Sequence, residues 1–319
     1  MTAAVMANAP ATPADAPNVA LALIGKTALR VGFGTGGLLR IGSARQRQNI
    51  LAAALASGIT HFDTAPLYGF GESERALGRF LRGQRSKVTL ATKFGLQPSA
   101  LAARLVFLQS TARRALELFP SLRRAAVRNA SALSRPPYFS RAAAIASLEK
   151  SLRALRTEYV DFFLAHQASA SALPDEELIG WLEDARRAGK ILAFGVATDF
   201  EWLPAVLERR PQLSRVVQFD CDLARHNAPA VAREDRILVT YSCIGRAISA
   251  CRERLPAAGR VEDELGGLLL RAAVLANPDG IVLMQSRSIR HIESNVRAAT
   301  SSRQDERVIE LVKLLVSGP

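Results

Sequence analysis

Two spacings of apolar residues alternate along the 319-residue chain. Short continuous β-prone runs begin near Arg30, Gly58, Lys87, Tyr159, Ile191, Arg215, Arg236 and Ile281. Between most of them, apolar positions recur three and four apart, the spacing of a helix with one buried face. Such spacing covers Ile50, Leu51, Ala54 and Leu55 within 44–56, and Ala76, Leu77 and Phe80 within 72–81. It covers Ile145, Leu148, Leu152 and Leu155 within 140–155, where Ser140 is placed to cap the first turn. Helices are also predicted over 174–188, 201–209, 261–276 and 303–316, the last with Val308, Leu311, Val312 and Leu315 on one face. Strands that repeatedly alternate with helices predict a parallel sheet, and eight of them predict a (β/α)8 TIM barrel. The competing topology is a doubly wound open sheet, but GFGTGG at residues 32–37 matches its nucleotide fingerprint only loosely.

The expected organisation is a single α/β domain over 18–319, preceded by a disordered tail, 1–17, rich in Ala and Pro. A basic, alanine-rich segment, 96–137, follows the third barrel strand. It is expected to be a helical insert, either a flap over the strand ends or a solvent-facing helix pair.

Chemistry concentrates in residues 60–95, THFDTAPLYGFGESERALGRFLRGQRSKVTLATKFG. Two predicted strands there finish on charged groups, Asp63 and Lys93, which a buried strand interior would exclude unless paired. Strand alternation puts His61 with Asp63, and Thr89 with Ala91 and Lys93. Tyr68 lies in the turn between, and the strand 159–165 ends on His166. Barrel active sites stand at these strand ends. A lysine held beside a carboxylate keeps its charge, and that charge is expected to lower the pKa of a neighbouring phenol, so that Tyr68 donates its proton more readily. Tyr68 and His166 together suit hydrogen bonding to a carbonyl oxygen as charge develops on it. No side chain supplies hydride, so that reaction requires a cofactor.

The formal charge of +13 raises the question of nucleic acid. The arginines are scattered, however, and the denser patch with Arg113, Arg114, Arg123 and Arg124 has no interleaved aromatics, so no nucleic-acid partner is expected. No apolar run is long enough for a bilayer, and no membrane association is expected. Cys221, Cys243 and Cys251 are odd in number and lack metal-ligand spacing, so neither a disulfide framework nor a metal site is expected, and Cys221 and Cys243 are read as packed core thiols. A cytoplasmic location is the expectation, since the N-terminus also lacks the basic start of a secretory signal.

GITHFDTAPLYGFGESERALG, TKFG, SLRALRTEYVDFFLAHQ, GKILAFGV and HIESNVRAA together resemble the aldo-keto reductase family, over roughly residues 27–300. GTGG and FDTAPLYG are most similar to its bacterial sugar and aldose dehydrogenase branch. The resemblance implies a nicotinamide cofactor, NADP(H) favoured over NAD(H), and a small carbonyl or sugar substrate interconverted with an alcohol or lactone. It places the catalytic tetrad on Asp63, Tyr68, Lys93 and His166. It implies that Gln218 binds the nicotinamide carboxamide, that Tyr241 stacks on the ring with Ser242 beside it, that Asn295 lies near the adenine, and that Ser286, Arg287, Ser288 and His291 fall on the loop that holds the adenosine phosphate. GVATDF departs from the family's Ser-Asn pair and leaves that nicotinamide contact to Thr198 or Asp199. Gln285 stands where NADP-preferring members carry lysine, and Cys243 where many carry proline. Two rival readings stay open. One is a Schiff-base aldolase using Lys93, and the other a non-catalytic nicotinamide-binding interaction protein.

Overall fold

The computed structural model describes residues 17–96, 137–225, 227–245, 247–248 and 262–316. The expected tail, apart from Pro17, and the expected insert, apart from Leu96 and Pro137, lie outside these residues, as does Cys251. A two-stranded antiparallel hairpin, β1 (Asn18–Leu21) with β2 (Lys26–Leu29), comes first. The barrel strands are β3 (Val31–Gly34), β4 (His61–Asp63), β5 (Thr89–Phe94), β6 (Val160–His166), β7 (Ile191–Ala197), β8 (Val216–Asp220), β9 (Ile237–Tyr241) and β10 (Ile281–Met284). They close as one barrel, with every neighbouring pair parallel. All eight anticipated strands are present. The second is shorter than its apolar run, because Gly58, at φ 91°, is still ending the preceding helix.

The helices expected from apolar spacing are α1 (Ala44–Ala56), α2 (Glu72–Phe80), α3 (Arg141–Leu155), α4 (Glu176–Arg187), α5 (Leu203–Arg209), α6 (Glu262–Ala276) and α8 (Asp305–Val316), and α7 (Ile289–Ala299) joins them unanticipated. Ser43 and Gln46 form a capping box on α1, and the Ser140 hydroxyl accepts from the Ala143 amide, as its position implied. Val308, Leu311 and Leu315 of α8 are buried, and Arg271 of α6 binds Asp305 through two nitrogens, at 2.8 and 3.0 Å. Among the described residues, no helix is long and apolar enough to cross a membrane.

Alternation along each strand produces two cores. Phe62, Phe163 and Val196 face outward to the helices and pack with Leu51, Leu77, Leu148 and Leu182. Phe162, Leu164, Val216, Val239 and Ile281 fill the barrel interior. The hairpin plugs the end where the strands begin, adding Val19, Leu21 and Ala28 to the interior cluster. Each fully buried phenylalanine contributes on the order of 2 kcal/mol. Asp161, the one acid in an otherwise apolar strand, fastens this plug. It is fully buried and accepts from Lys26 Nζ at 2.5 Å, Arg85 Nη2 at 2.6 Å and the Leu90 amide at 2.9 Å. With the bottom sealed by apolar and structural groups, the opposite rim is left for chemistry.

Candidate active site

Three barrel strands and one turn bring Asp63, Lys93, His166 and Tyr68 to that rim. Asp63 ends β4, Lys93 lies one residue from the end of β5, and His166 ends β6. Tyr68 follows β4 in a tight turn where Gly69, Phe70 and Gly71 all have positive φ, at 55°, 58° and 88°. A Cβ on Gly69 would come within 2.0 Å of the Leu39 side chain, so both the dihedral and the space require glycine there. The turn lays the Tyr68 ring under the β3 rim loop, its carbons 3.7 Å from where a Gly36 side chain would begin.

Lys93 and Asp63 form a buried ion pair. The ammonium donates to both Asp63 oxygens at 2.7 Å and to the Thr64 carbonyl at 3.0 Å. Its pKa is raised: burial works against the charge, but Asp63 and Tyr68 outweigh it. The same ammonium stands 5.1 Å from the centre of the Tyr68 ring. The net direction for Tyr68 corrects the sequence expectation. Burial raises the phenol pKa, and the opposing pull of Lys93 only offsets part of it. Tyr68 is therefore a protonated donor at neutral pH, held ready by the cation but not ionised by it. His166 meets the Tyr68 ring edge-on, with centroids 6.1 Å apart. Burial first and Lys93 second push its pKa down to about 3, so the imidazole is neutral.

Gln218 on β8 donates from Nε2 to Asp63 Oδ2 at 3.0 Å, which fixes the orientation of its amide. Its Oε1 is buried and has no hydrogen-bond partner among the described residues. An acceptor left bare in this way suits an amide N–H donor, the group that a nicotinamide carboxamide presents. The buried Thr198 hydroxyl is committed to the Ala168 carbonyl at 2.6 Å, which leaves Asp199 as the polar side chain of GVATDF at the rim. Tyr241, at the end of β9, donates its hydroxyl to Asp199 Oδ1 at 3.1 Å. Ser242 follows, exposed and at φ 60°. Cys221 and Cys243 are both buried free thiols, as read from the sequence.

A second cluster lies farther round the rim. Ser286, Arg287, Ser288 and His291 line a depression of about 920 Å³. Ser286 Oγ accepts from the Ser288 amide at 3.1 Å, and Ser288 caps α7 by accepting from the His291 amide. Opposite them stand Arg40, Gln46 and Asn49, and Arg290 lines it too, so three arginines surround one concavity. Sequence reasoning missed Arg40 and Arg290. Arg40 was findable, since it follows the first barrel strand within the glycine loop. Asn295 does not join this lining. Its amide lies against α6, 3.5 Å from where a Gly266 side chain would begin. Gln285, in the family's lysine position, is used as a strap, its Oε1 accepting from the Gly37 amide at 3.0 Å.

Fold and site define a (β/α)8 barrel protein with its polar groups gathered where the strands end. Residues 30–234 match the Aldo/keto reductase family, and the chain belongs to it. It is 31% identical over 179 residues to aldo-keto reductase YhdN of Bacillus subtilis, a match covering 54% of this chain and 44% of that protein. It is 28% identical over 172 residues to aldo-keto reductase yakc [NADP(+)] of Schizosaccharomyces pombe, covering 52% and 42%. The chain thus spans about half the length of these curated relatives. An aldo-keto reductase from Klebsiella pneumoniae, solved in complex with NADPH, superposes with a TM-score of 0.65 at 22% identity, covering 92% of this chain and 93% of that one, and so shares the fold.

Proposed function

We propose that the chain is an oxidoreductase that binds a nicotinamide dinucleotide, NADP(H) in preference to NAD(H), and interconverts a small carbonyl compound (aldehyde, ketone or sugar) with its alcohol or lactone. When bound, the cofactor supplies or accepts the hydride. The observation that carries this reading is the protonated Tyr68 phenol, set over the Asp63–Lys93 pair and beside a neutral His166. In the reduction direction, Tyr68 delivers its proton to the substrate oxygen as negative charge develops there, and Lys93 stabilises the phenolate left behind. His166 hydrogen-bonds the same oxygen and orients it. Gln218, anchored on Asp63, offers its bare Oε1 to the carboxamide, and Tyr241 supplies the stacking face. Arg287 and Arg40 give the depression a charge that favours a 2'-phosphate, a role Gln285 has no charge to fill.

The aldolase alternative needs a lysine with a lowered pKa and a free amine. Lys93 has the opposite, a raised pKa and three hydrogen-bond acceptors within 3.0 Å. Fluorescence titration with NADPH and NADH, followed by a panel of aldehydes and sugars, tests the proposal. Saturable NADPH binding with turnover of at least one carbonyl is expected. Absence of binding to either nucleotide refutes it, and binding without any turnover points to the interaction-protein reading.

A further inference from the structure

Asp199 introduces a charge at the rim that the rest of the site does not cancel. Lys93 is matched by Asp63, and His166 is neutral. Among the described residues Asp199 takes part in no ion pair, and its carboxylate receives the Tyr241 hydroxyl at 3.1 Å. Asp220, buried and in register with Tyr241 on the adjoining strand, accepts from the Phe200 amide at 2.7 Å on the other side. Burial, then Asp199, then Asp220 push the Tyr241 phenol upward. Asp220 sits in the sheet, whereas Asp199 is exposed in the loop after β7, so its charge alone is removable without disturbing the barrel.

We infer that Asp199 makes this site prefer the oxidised cofactor over the reduced one, and so favours carbonyl reduction on the protein. The inference rests on the reading above that the nicotinamide ring lies on Tyr241. Oxidised nicotinamide carries a positive charge and reduced nicotinamide none, so a fixed carboxylate beside the stacking ring stabilises the first selectively. The balanced exchange is carbonyl plus reduced cofactor plus a proton, giving alcohol plus oxidised cofactor. Selective stabilisation of the oxidised form draws the bound equilibrium toward alcohol, because it makes the bound reduced form the stronger reductant. The effect belongs to the Asp199 charge and not to the hydrogen bond, which an asparagine also provides.

The experiment measures dissociation constants of NADP⁺ and NADPH, and of NAD⁺ and NADH, for the wild type and for Asp199→Asn. The substitution keeps an acceptor for Tyr241. The ratio Kd(oxidised)/Kd(reduced) is expected to rise about fivefold, as one partly screened unit charge warrants. That corresponds to about 20 mV for a two-electron couple. The change should come from weaker binding of the oxidised form, with the reduced form altered less than about twofold. Added salt should raise the wild-type ratio and leave the variant's flat. Asp199→Ser supplies a second neutral variant should the first misfold. A ratio unchanged by both variants, with both nucleotide forms still binding, overturns the inference and leaves the cofactor reading intact. A wild type that binds neither form overturns the cofactor reading itself.

Discussion

His61 should make the stability of the barrel depend on pH. Its ring is fully buried beneath Asp63, with Nδ1 and Thr89 Oγ1 hydrogen-bonded at 2.9 Å, Nε2 without a partner among the described residues and the Phe162 ring 5.7 Å away. Burial holds its pKa down to about 4, against smaller upward pulls from Asp63 and Asp161. In the unfolded chain a histidine titrates near ~6.5. Between those values the unfolded chain binds a proton that the folded interior refuses, so stability falls as pH is lowered through this window and is fully present above it. From about pH 7.5 to about pH 5 the loss from this residue is about 2 kcal/mol, approaching about 3 kcal/mol once the folded state also titrates. Urea unfolding of the wild type and of His61→Gln, each at both pH values, measures it. The variant should lose about 2 kcal/mol less than the wild type over that interval. His166, whose pKa is depressed in the same direction, contributes equally to both proteins and cancels. Equal pH-dependent losses in wild type and variant would refute the reasoning.

Lys93→Met leaves Asp63 buried with, among the described residues, only Gln218 as a side-chain donor, and should cost about 3–5 kcal/mol in urea unfolding. Borohydride treatment of the wild type with a carbonyl substrate should leave Lys93 unmodified, whereas a trapped adduct in the mass spectrum would revive the aldolase reading. Arg287→Ala and Arg40→Ala should each weaken NADPH binding roughly tenfold and leave NADH binding unchanged, one charge-assisted phosphate contact being lost in each case. An unaltered NADPH-to-NADH ratio would move the phosphate elsewhere. Gly69→Ala should destabilise by about 2 kcal/mol or more, since it adds left-handed strain to a collision with Leu39, and should reduce turnover by misplacing Tyr68. Calorimetry with steady-state assays checks both effects, and a variant with wild-type stability would mean that the turn relaxes freely.

Much of this architecture was readable from the chain because strand runs and helical spacing have different periods, and the Ser140 signal sits where α3 starts, whereas Gly58, read as a strand start, ends α1 instead. The strand-end positions of Asp63, Lys93 and His166 were readable because a polar group at the end of an apolar run has few structural excuses. The hairpin plug was not, since Val19 to Ile24 reads like any short strand and its role depends on Lys26 reaching Asp161 across 135 residues. The direction of the Tyr68 shift was also hidden. Proximity of Lys93 could be argued from the motif, but the depth of burial that outweighs it could not. Arg40 escaped because periodicity says nothing about a loop residue.

The central claim is that Tyr68 is the proton donor in a hydride-transfer site. Its most direct test is Tyr68→Phe, assayed for NADPH binding by fluorescence and for NADPH consumption with the best carbonyl from the substrate panel. The phenyl ring preserves the packing against His166 and removes only the hydroxyl, which acts as charge develops on the substrate oxygen. Turnover should fall by roughly 10²-fold or more, with the NADPH dissociation constant changed less than about twofold. A variant that binds NADPH and keeps most of its turnover would contradict the account and place the acid elsewhere.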